Sequence, residues 1–297
     1  MKAKIISMLA VLAMLFLASL NVISNPPENM EWDGIKTDRL LLPNGIQLEY
    51  AEYGKRNGTP IIFLHGYTDS WHSFEDVLSR FPRQYHVLAI SQRGHGDSDR
   101  PVSYAFKDFA VDVAHFIRTK NLGRCVVVGH SLGGLVTQQF ALDYPELTKG
   151  IVIVSSAPSF ADNAGVPEFL AEVKKLTDPI ERKFAEEFQK STLYQPISSE
   201  ALNLYISETA KVPARVWKSI AVEIEKTDYR NDLQKIKVPV LILWGSNDSY
   251  CSRGDQDQFA KDLPSSTIRI YDGTGHALHW EQPQRFVKDI AAFAAKI

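Results

Sequence analysis

The sequence predicts an α/β protein in which a mostly parallel sheet is covered by helices on both faces and carries an inserted helical cap. Three observations predict this fold. Short apolar runs rich in β-branched residues recur along the chain and are followed by segments of helical periodicity. One of these runs leads through a glycine-rich turn directly into a helix. In residues 157–235 aromatic residues instead punctuate charged helical segments, which indicates an insertion between two strands.

Composition sets the first limits on function. The chain has 297 residues, of which 44% are hydrophobic and 23% are charged, an ordinary composition for a globular protein with a full core. The length favours two structural units, although a single core with an inserted lid fits as well. The formal net charge is −2, so no basic field favours a nucleic-acid partner. The oligomeric state is left open.

The N-terminal residues differ from the rest of the chain. Two lysines precede an apolar run at residues 5–20, which is the arrangement of a secretory signal. We interpret residues 1–24 as a signal peptide and expect an exported protein, either periplasmic or extracellular. The alternative is an N-terminal anchor that retains residues 5–20, and membrane contact is expected only in that case. Residues 25–36 are mostly polar and are predicted to be a linker.

The chain contains two cysteines, Cys125 and Cys251. The first begins one predicted strand and the second follows the end of another, so they should lie at opposite edges of the sheet. That separation exceeds the roughly 7 Å between Cα atoms that a disulfide spans, and we expect two unpaired thiols. The sequence shows no Cys/His cluster with metal-ligand spacing, so no metal or other cofactor is expected.

The sheet is predicted to begin with an antiparallel hairpin. Leu40–Leu42 and Ile46–Tyr53 flank the turn sequence Pro43-Asn44-Gly45. The remaining strands and helices follow from apolar runs and helical periodicity. In chain order they are a strand at 60–64, a helix at 71–80, a strand at 86–90, a helix at 108–120, strands at 125–128, 150–154, 238–244 and 267–271, and a helix from about 282.

The turn between the strand at Cys125–Val128 and the next helix reads Gly129-His130-Ser131-Leu132-Gly133. This G-x-S-x-G pattern, with a strand entering and a helix leaving, is typical of a strained turn that projects a nucleophilic serine. Small neighbours are needed because the serine adopts an unfavourable backbone conformation. Free N–H groups at the helix N-terminus would favour negative charge developing beside Ser131.

From about Leu40 to the C-terminus, with a less typical middle, these motifs resemble the α/β-hydrolase family. The resemblance implies an eight-stranded sheet, a core formed by residues 37–156 and 236–297, and a helical cap at 157–235. It also implies that His65-Gly66-Tyr67 is the oxyanion loop. The backbone N–H groups of Tyr67 and Leu132 would then stabilise a developing oxyanion. For His65 we favour a structural role that braces loops over a direct catalytic one.

The same resemblance points to the two partners of the serine. Asp248 follows the strand at 238–244 in a G-x-x-D sequence, and His276 follows the last strand in a Gly-His step. The order Ser131, Asp248, His276 is the order expected for this fold. Asp255 and Asp257 are alternatives for the acid, and they fall within the next probable helix. The alternative for the base is the histidine three residues after His276.

Residues 91–101 resemble the family's R-G-x-G-x-S loop, which is usually structural. Ser91 stands where the family often has an acidic residue. The alternative interpretation is a charged substrate site built from Arg93, Asp97 and Asp99.

The aromatic residues of the cap predict a largely apolar roof over the site. We expect Phe160 and Trp217 of the cap to contact the substrate, together with Tyr67 of the oxyanion loop and His130 beside the serine.

These features predict a serine hydrolase with the triad Ser131, Asp248 and His276 that cleaves a small to medium, largely apolar carboxylic ester or lactone. A serine at the turn favours acyl transfer, whereas relatives that open epoxides or displace halide carry Asp there. One alternative is hydrolysis of a carbon–carbon bond next to a carbonyl. Another is a ligand-binding receptor with slow turnover, since fold alone does not decide function.

Overall fold

A computed structural model describes residues 34–163, 165–263 and 265–297. The predicted signal or anchor at 1–24, and most of the predicted linker, lie outside the described residues. Lys36, the last residue assigned to that linker, already begins the first strand. Within the described ranges, none of the helices combines the length and the apolar character needed to cross a membrane.

The sheet has eight strands, as predicted. They are β1 (Lys36–Leu41), β2 (Gln47–Gly54), β3 (Thr59–Leu64), β4 (Tyr85–Ile90), β5 (Cys125–His130), β6 (Thr148–Val154), β7 (Val240–Gly245) and β8 (Ser266–Tyr271). Their order across the sheet is β1-β2-β4-β3-β5-β6-β7-β8. β2 is antiparallel to β1 and β4, and all other pairs are parallel. The carboxyl ends of β5, β7 and β8 therefore point to the same edge of the sheet, where α/β proteins bind ligands.

Helices cover both faces of the sheet. The ten α-helices of the described residues are α1 (Glu75–Leu78), α2 (Phe106–Thr119), α3 (Leu132–Asp143), α4 (Val166–Lys175), α5 (Arg182–Ser191), α6 (Ser199–Lys211), α7 (Ala214–Lys226), α8 (Arg253–Asp262), α9 (Leu278–Glu281) and α10 (Pro283–Ala294). Side chains alternate between faces along each strand. In β3, Ile62 contributes to the core that includes α2 and α3, whereas Phe63 contributes to the core that includes α1 and α10. Two buried faces explain why every residue of β5 and β7 is buried and why all of them except His130 are apolar.

Helices α4 to α7 lie between β6 and β7 in the chain, in the segment predicted to form a cap. Two local predictions need correction. The helix expected at 71–80 is a 3₁₀ turn at Trp71–Phe74 followed by only one turn of α-helix. The short helix α9 was not predicted, because four residues are too few to show helical periodicity. The prediction of unpaired cysteines is confirmed, since Cys125 and Cys251 are both free and buried.

Candidate active site

Ser131 occupies a strained turn between β5 and α3. Its φ of 53° and ψ of −115° place a non-glycine residue in a region that L-residues rarely adopt. The flanking glycines make this turn sterically feasible. A Cβ atom on Gly129 would lie 2.0 Å from the carbonyl oxygen of Gly133, and one on Gly133 would lie 2.2 Å from that of Leu64. The predicted requirement for small neighbours therefore has a direct geometric cause.

Asp248 and His276 meet beyond the ends of β7 and β8. Nδ1 of His276 lies 2.9 Å and 3.0 Å from the two carboxylate oxygens of Asp248. Oδ1 of Asp248 also accepts the backbone N–H groups of Tyr250 and Cys251, at 2.8 Å and 3.0 Å. An ionised carboxylate only accepts, so Nδ1 of His276 carries the proton and Nε2 is left unprotonated in the neutral ring.

The ionised form of Asp248 is favoured by its surroundings. Burial alone would raise the pKa of this carboxyl, but His276 and the two backbone N–H groups outweigh burial and hold the pKa below the ordinary value. A carboxylate that stays ionised is suited to fixing the tautomer of His276 and to stabilising an imidazolium ring.

Ser131 and His276 line one cavity of about 170 Å³. Next to them, Nε2 of His130 lies 3.0 Å from the backbone carbonyl of His276 and donates its proton to it. This hydrogen bond ties the turn after β5 to the loop after β8. Burial, followed by the nearby His276, lowers the pKa of His130 to about 3, so His130 is neutral at physiological pH. His130 therefore positions the loop and does not compete as a base.

The predicted oxyanion loop runs beside this turn. In the part of the chain that the structure describes, the backbone N–H groups of Tyr67 and Leu132 donate to no protein acceptor. Leu132 is the first residue of α3, where amides have no partner within the helix. A Cβ atom on Gly66 would lie 2.7 Å from Nδ1 of His130, so only glycine lets the loop approach this closely. His65 is fully buried, with its Nδ1 2.7 Å from the Gly66 carbonyl.

Most of the predicted substrate-binding residues line the cavity, namely Tyr67, His130 and Phe160. Trp217 is not among the lining residues. It is fully buried behind Tyr67, with ring centroids 4.9 Å apart, and its carbonyl accepts the Tyr67 hydroxyl. We expected Trp217 to contact the substrate directly. In the structure it instead supports Tyr67, which does line the cavity.

Several lining residues were not assigned individually from the sequence. Phe169, Phe188 and Ile224 come from the inserted helices and are apolar. The sequence predicted an apolar roof from the 157–235 segment as a whole. It did not single out these residues, because an aromatic side chain on a helix face more often packs in the core than lines a cavity. The polar members had no such signal. They are Asp69, Asn163, Gln189, Thr192, Ser249 and Tyr250, together with the amphipathic Trp280.

Comparison with known proteins identifies the fold family. The family described as "alpha/beta hydrolase fold" matches residues 59–283 of the chain. The chain belongs to the α/β-hydrolase fold family.

Proteins similar to this chain are named as hydrolases of several kinds. The sn-1-specific diacylglycerol lipase ABHD11 of Danio rerio is 24% identical, with 88% of this chain and 86% of the relative covered. The 2-(acetamidomethylene)succinate hydrolase of Mesorhizobium japonicum is 27% identical, with 84% and 91% covered. The solved structure of an esterase from Exiguobacterium antarcticum has a TM-score of 0.79 at 19% identity, covering 88% of this chain and 100% of the esterase, and supports the fold. These names agree on hydrolysis and differ in substrate.

The alternative acid and base residues of this α/β hydrolase have other partners. Asp255 accepts the backbone N–H of Ser252 in the capping box of α8, and Asp257 pairs with Arg253 on the same helix. The alternative base, His279, lies 3.1 Å from the Ser73 hydroxyl through its Nε2. None of these three side chains lines the cavity that holds Ser131.

Two of the three residues of the alternative charged site, Arg93 and Asp99, hold the 91–101 loop instead. Arg93 forms a buried bidentate ion pair with Asp112, with both N–O distances at 2.7 Å. Asp99 accepts the backbone N–H of Gln47 at 2.8 Å. Asp97 lies 3.8 Å from Lys211 and its side chain is exposed.

One group near the site has the residue types of a metal site. Ligand atoms of Asp248, Cys251 and His276 lie within 4.8 Å of one another. Burial, with the nearby Asp248, raises the pKa of the Cys251 thiol well above its ordinary value. A protonated thiol is a poor metal ligand, and the Nδ1 of His276 already donates to Asp248. The donor set therefore suits a hydrogen-bonded acid–base pair better than a metal ion.

Proposed function

We propose that this α/β hydrolase is a serine-dependent carboxylic-ester hydrolase that uses Ser131, His276 and Asp248. One observation carries the proposal: a serine in a strained turn and a histidine oriented by a buried carboxylate line the same small cavity. A nucleophile, a base and a group that orients the base are the parts that acyl transfer requires.

In this proposal Nε2 of His276 takes the proton of Ser131 while Ser131 Oγ attacks the carbonyl carbon of the substrate. Asp248 stabilises the imidazolium that forms. The N–H groups of Tyr67 and Leu132 donate to the oxyanion, and removing one such donor typically costs about 10²–10³ in kcat. The imidazolium then protonates the leaving alcohol. His276 next activates a water molecule, which releases the acyl group from Ser131 as the free acid.

The cavity indicates the size and polarity of the acyl group. A volume of about 170 Å³ resembles that of engineered protein cavities of roughly 150 Å³ that bind one benzene molecule. Leu132, Leu135, Phe160, Phe169 and Ile224 form an apolar part of its wall. A short acyl chain, a small aromatic acid or a compact lactone fits this space. From the sequence alone we also propose that residues 1–24 direct export.

A burst assay tests the proposal. Purified full-length protein and its Ser131→Ala variant are mixed with p-nitrophenyl acetate, butanoate and octanoate. We expect a burst of p-nitrophenol equal to the enzyme concentration with a short ester, and no burst in the variant. Equal slow release from both proteins would contradict a serine esterase. It would favour the carbon–carbon hydrolase or receptor alternative.

A further inference from the structure

A buried carboxyl group in the wall of the catalytic cavity has no part in the proposed mechanism. Asp69 is 5% exposed and lines the same cavity as Ser131. It follows the oxyanion loop, and its Oδ2 would lie 3.3 Å from a Cβ atom on Gly66. The Asp69 carboxyl group therefore lies beside the loop that we assign to the oxyanion.

Asp69 has only two protein partners in the described part of the chain. Oδ1 accepts Nε2 of Gln189 at 2.8 Å, and Oδ2 accepts the hydroxyl of Ser73 at a long 3.3 Å. No Lys, Arg or His of the described residues forms an ion pair with it. In its ionised form this carboxyl group has about four acceptor positions, so roughly half of its accepting capacity is unused.

Gln189 adds a second unused acceptor to the same wall. Its Nε2 donates both hydrogens, one to Asp69 and one to the Thr209 hydroxyl, which fixes the orientation of the amide. Its Oε1 is buried and, among the described residues, has no hydrogen-bond partner. Gln189 is 1% exposed and lines the cavity beside Asp69.

Unpaired acceptors are costly in a largely apolar cavity, because burial restricts the water that would satisfy them. A substrate group that donates a hydrogen bond would remove this cost when it binds. We propose that Asp69, with Gln189 beside it, binds a hydroxyl group of the substrate, so that the preferred substrate is a small hydroxylated ester. This proposal rests on the ester hydrolase function given above.

Two matched ester pairs test the proposal, each differing by one hydroxyl-for-methyl replacement. Hydroxyethyl butanoate with propyl butanoate places the hydroxyl on the alcohol side. The p-nitrophenyl esters of β-hydroxybutanoate and isovalerate place it on the acyl side. The readout is the ratio of kcat/KM within a pair, in wild type, Asp69→Leu, Asp69→Ala and Ser73→Ala. The last variant removes one hydrogen bond to Asp69 from outside the cavity and keeps the carboxyl group.

We expect wild type to prefer the hydroxylated member of at least one pair by about tenfold or more. The preference should fall to about one in whichever Asp69 variant folds, and it should persist in Ser73→Ala. A purely structural Asp69 would change both members of a pair equally and leave the ratio intact. Wild-type ratios near one in both pairs, or an unchanged ratio without Asp69, would overturn the proposal. If hydrolysis of all four esters is independent of Ser131, the ester hydrolase function itself fails.

Discussion

Asp248 lies within hydrogen-bond distance of His276, 2.9 Å from carboxylate to Nδ1, although the two residues belong to loops after different strands. Parallel pairing of β7 and β8 brings these loops to the same edge of the sheet. The relationship fixes which nitrogen of His276 can act as the base.

Replacing Asp248 with Asn should therefore lower kcat for a short ester by roughly 10³–10⁴-fold, because the charge is lost and the histidine can adopt the wrong tautomer. Steady-state kinetics on a butanoate ester measures this effect. The control is Asp255→Asn, which changes a partly exposed carboxyl in the capping box of α8. We expect the kcat of this control to match that of wild type, and an equal loss in both variants would contradict the role of Asp248.

Asp69 should also make stability depend on pH. Burial raises its pKa to about 7, only partly offset by hydrogen bonds from Gln189 and Ser73. Between about pH 4 and pH 7 the native state keeps a proton that the unfolded state has released, so the free energy of unfolding falls as pH rises. Asp69→Asn removes this titration. The variant should be more stable than wild type at pH 8, by at most on the order of 4 kcal/mol, and nearly equal to it at pH 4.

Urea unfolding of both proteins at several pH values measures this difference. A difference that stays constant from pH 4 to pH 8 would show that Asp69 does not titrate in this range.

Trp280 should limit the length of the substrate. It lines the catalytic cavity and also an adjacent groove of about 650 Å³ on its other side. Its ring stacks on Tyr205 with centroids 4.1 Å apart, and its Nε1 donates to the Ser73 carbonyl at 2.8 Å. Trp280→Ala should join the two spaces and raise kcat/KM for octanoate relative to butanoate esters by about tenfold.

Trp280→Phe keeps an aromatic wall and is the matched control, with a chain-length profile close to that of wild type. Thermal unfolding shows whether the alanine variant is folded. An unchanged profile in folded Trp280→Ala would mean that Trp280 does not separate the two spaces.

The sequence predicted the elements of this site that depend on local pattern. Two glycines flank Ser131 in the sequence, and this local pattern singled out the serine. Asp248 and His276 each follow directly after a predicted strand, and this position singled them out as its partners. The number of strands followed from the family resemblance, whereas their order across the sheet is known only from the structure. Trp217 was assigned to the cavity because its chemistry suited an apolar roof, but tertiary packing set it behind Tyr67.

Asp69 and Gln189 were not predicted, and the reason is physical. They are separated by 120 residues and meet only when α5 packs against the loop after β3. Neither residue type is unusual in a loop or on a helix, so no local pattern distinguishes a buried pair from two solvated side chains. Such contacts depend on how the inserted helices pack, which periodicity does not specify.

Ser131 carries the acyl group in the proposed mechanism, and intact-protein mass spectrometry tests this role most directly. Wild type and Ser131→Ala are mixed with excess p-nitrophenyl butanoate and quenched in acid within the burst, and peptide mapping locates any added mass. We predict one butanoyl group per chain, on Ser131, and none in the variant. A label on another residue, or equal labelling of both proteins, would contradict the account.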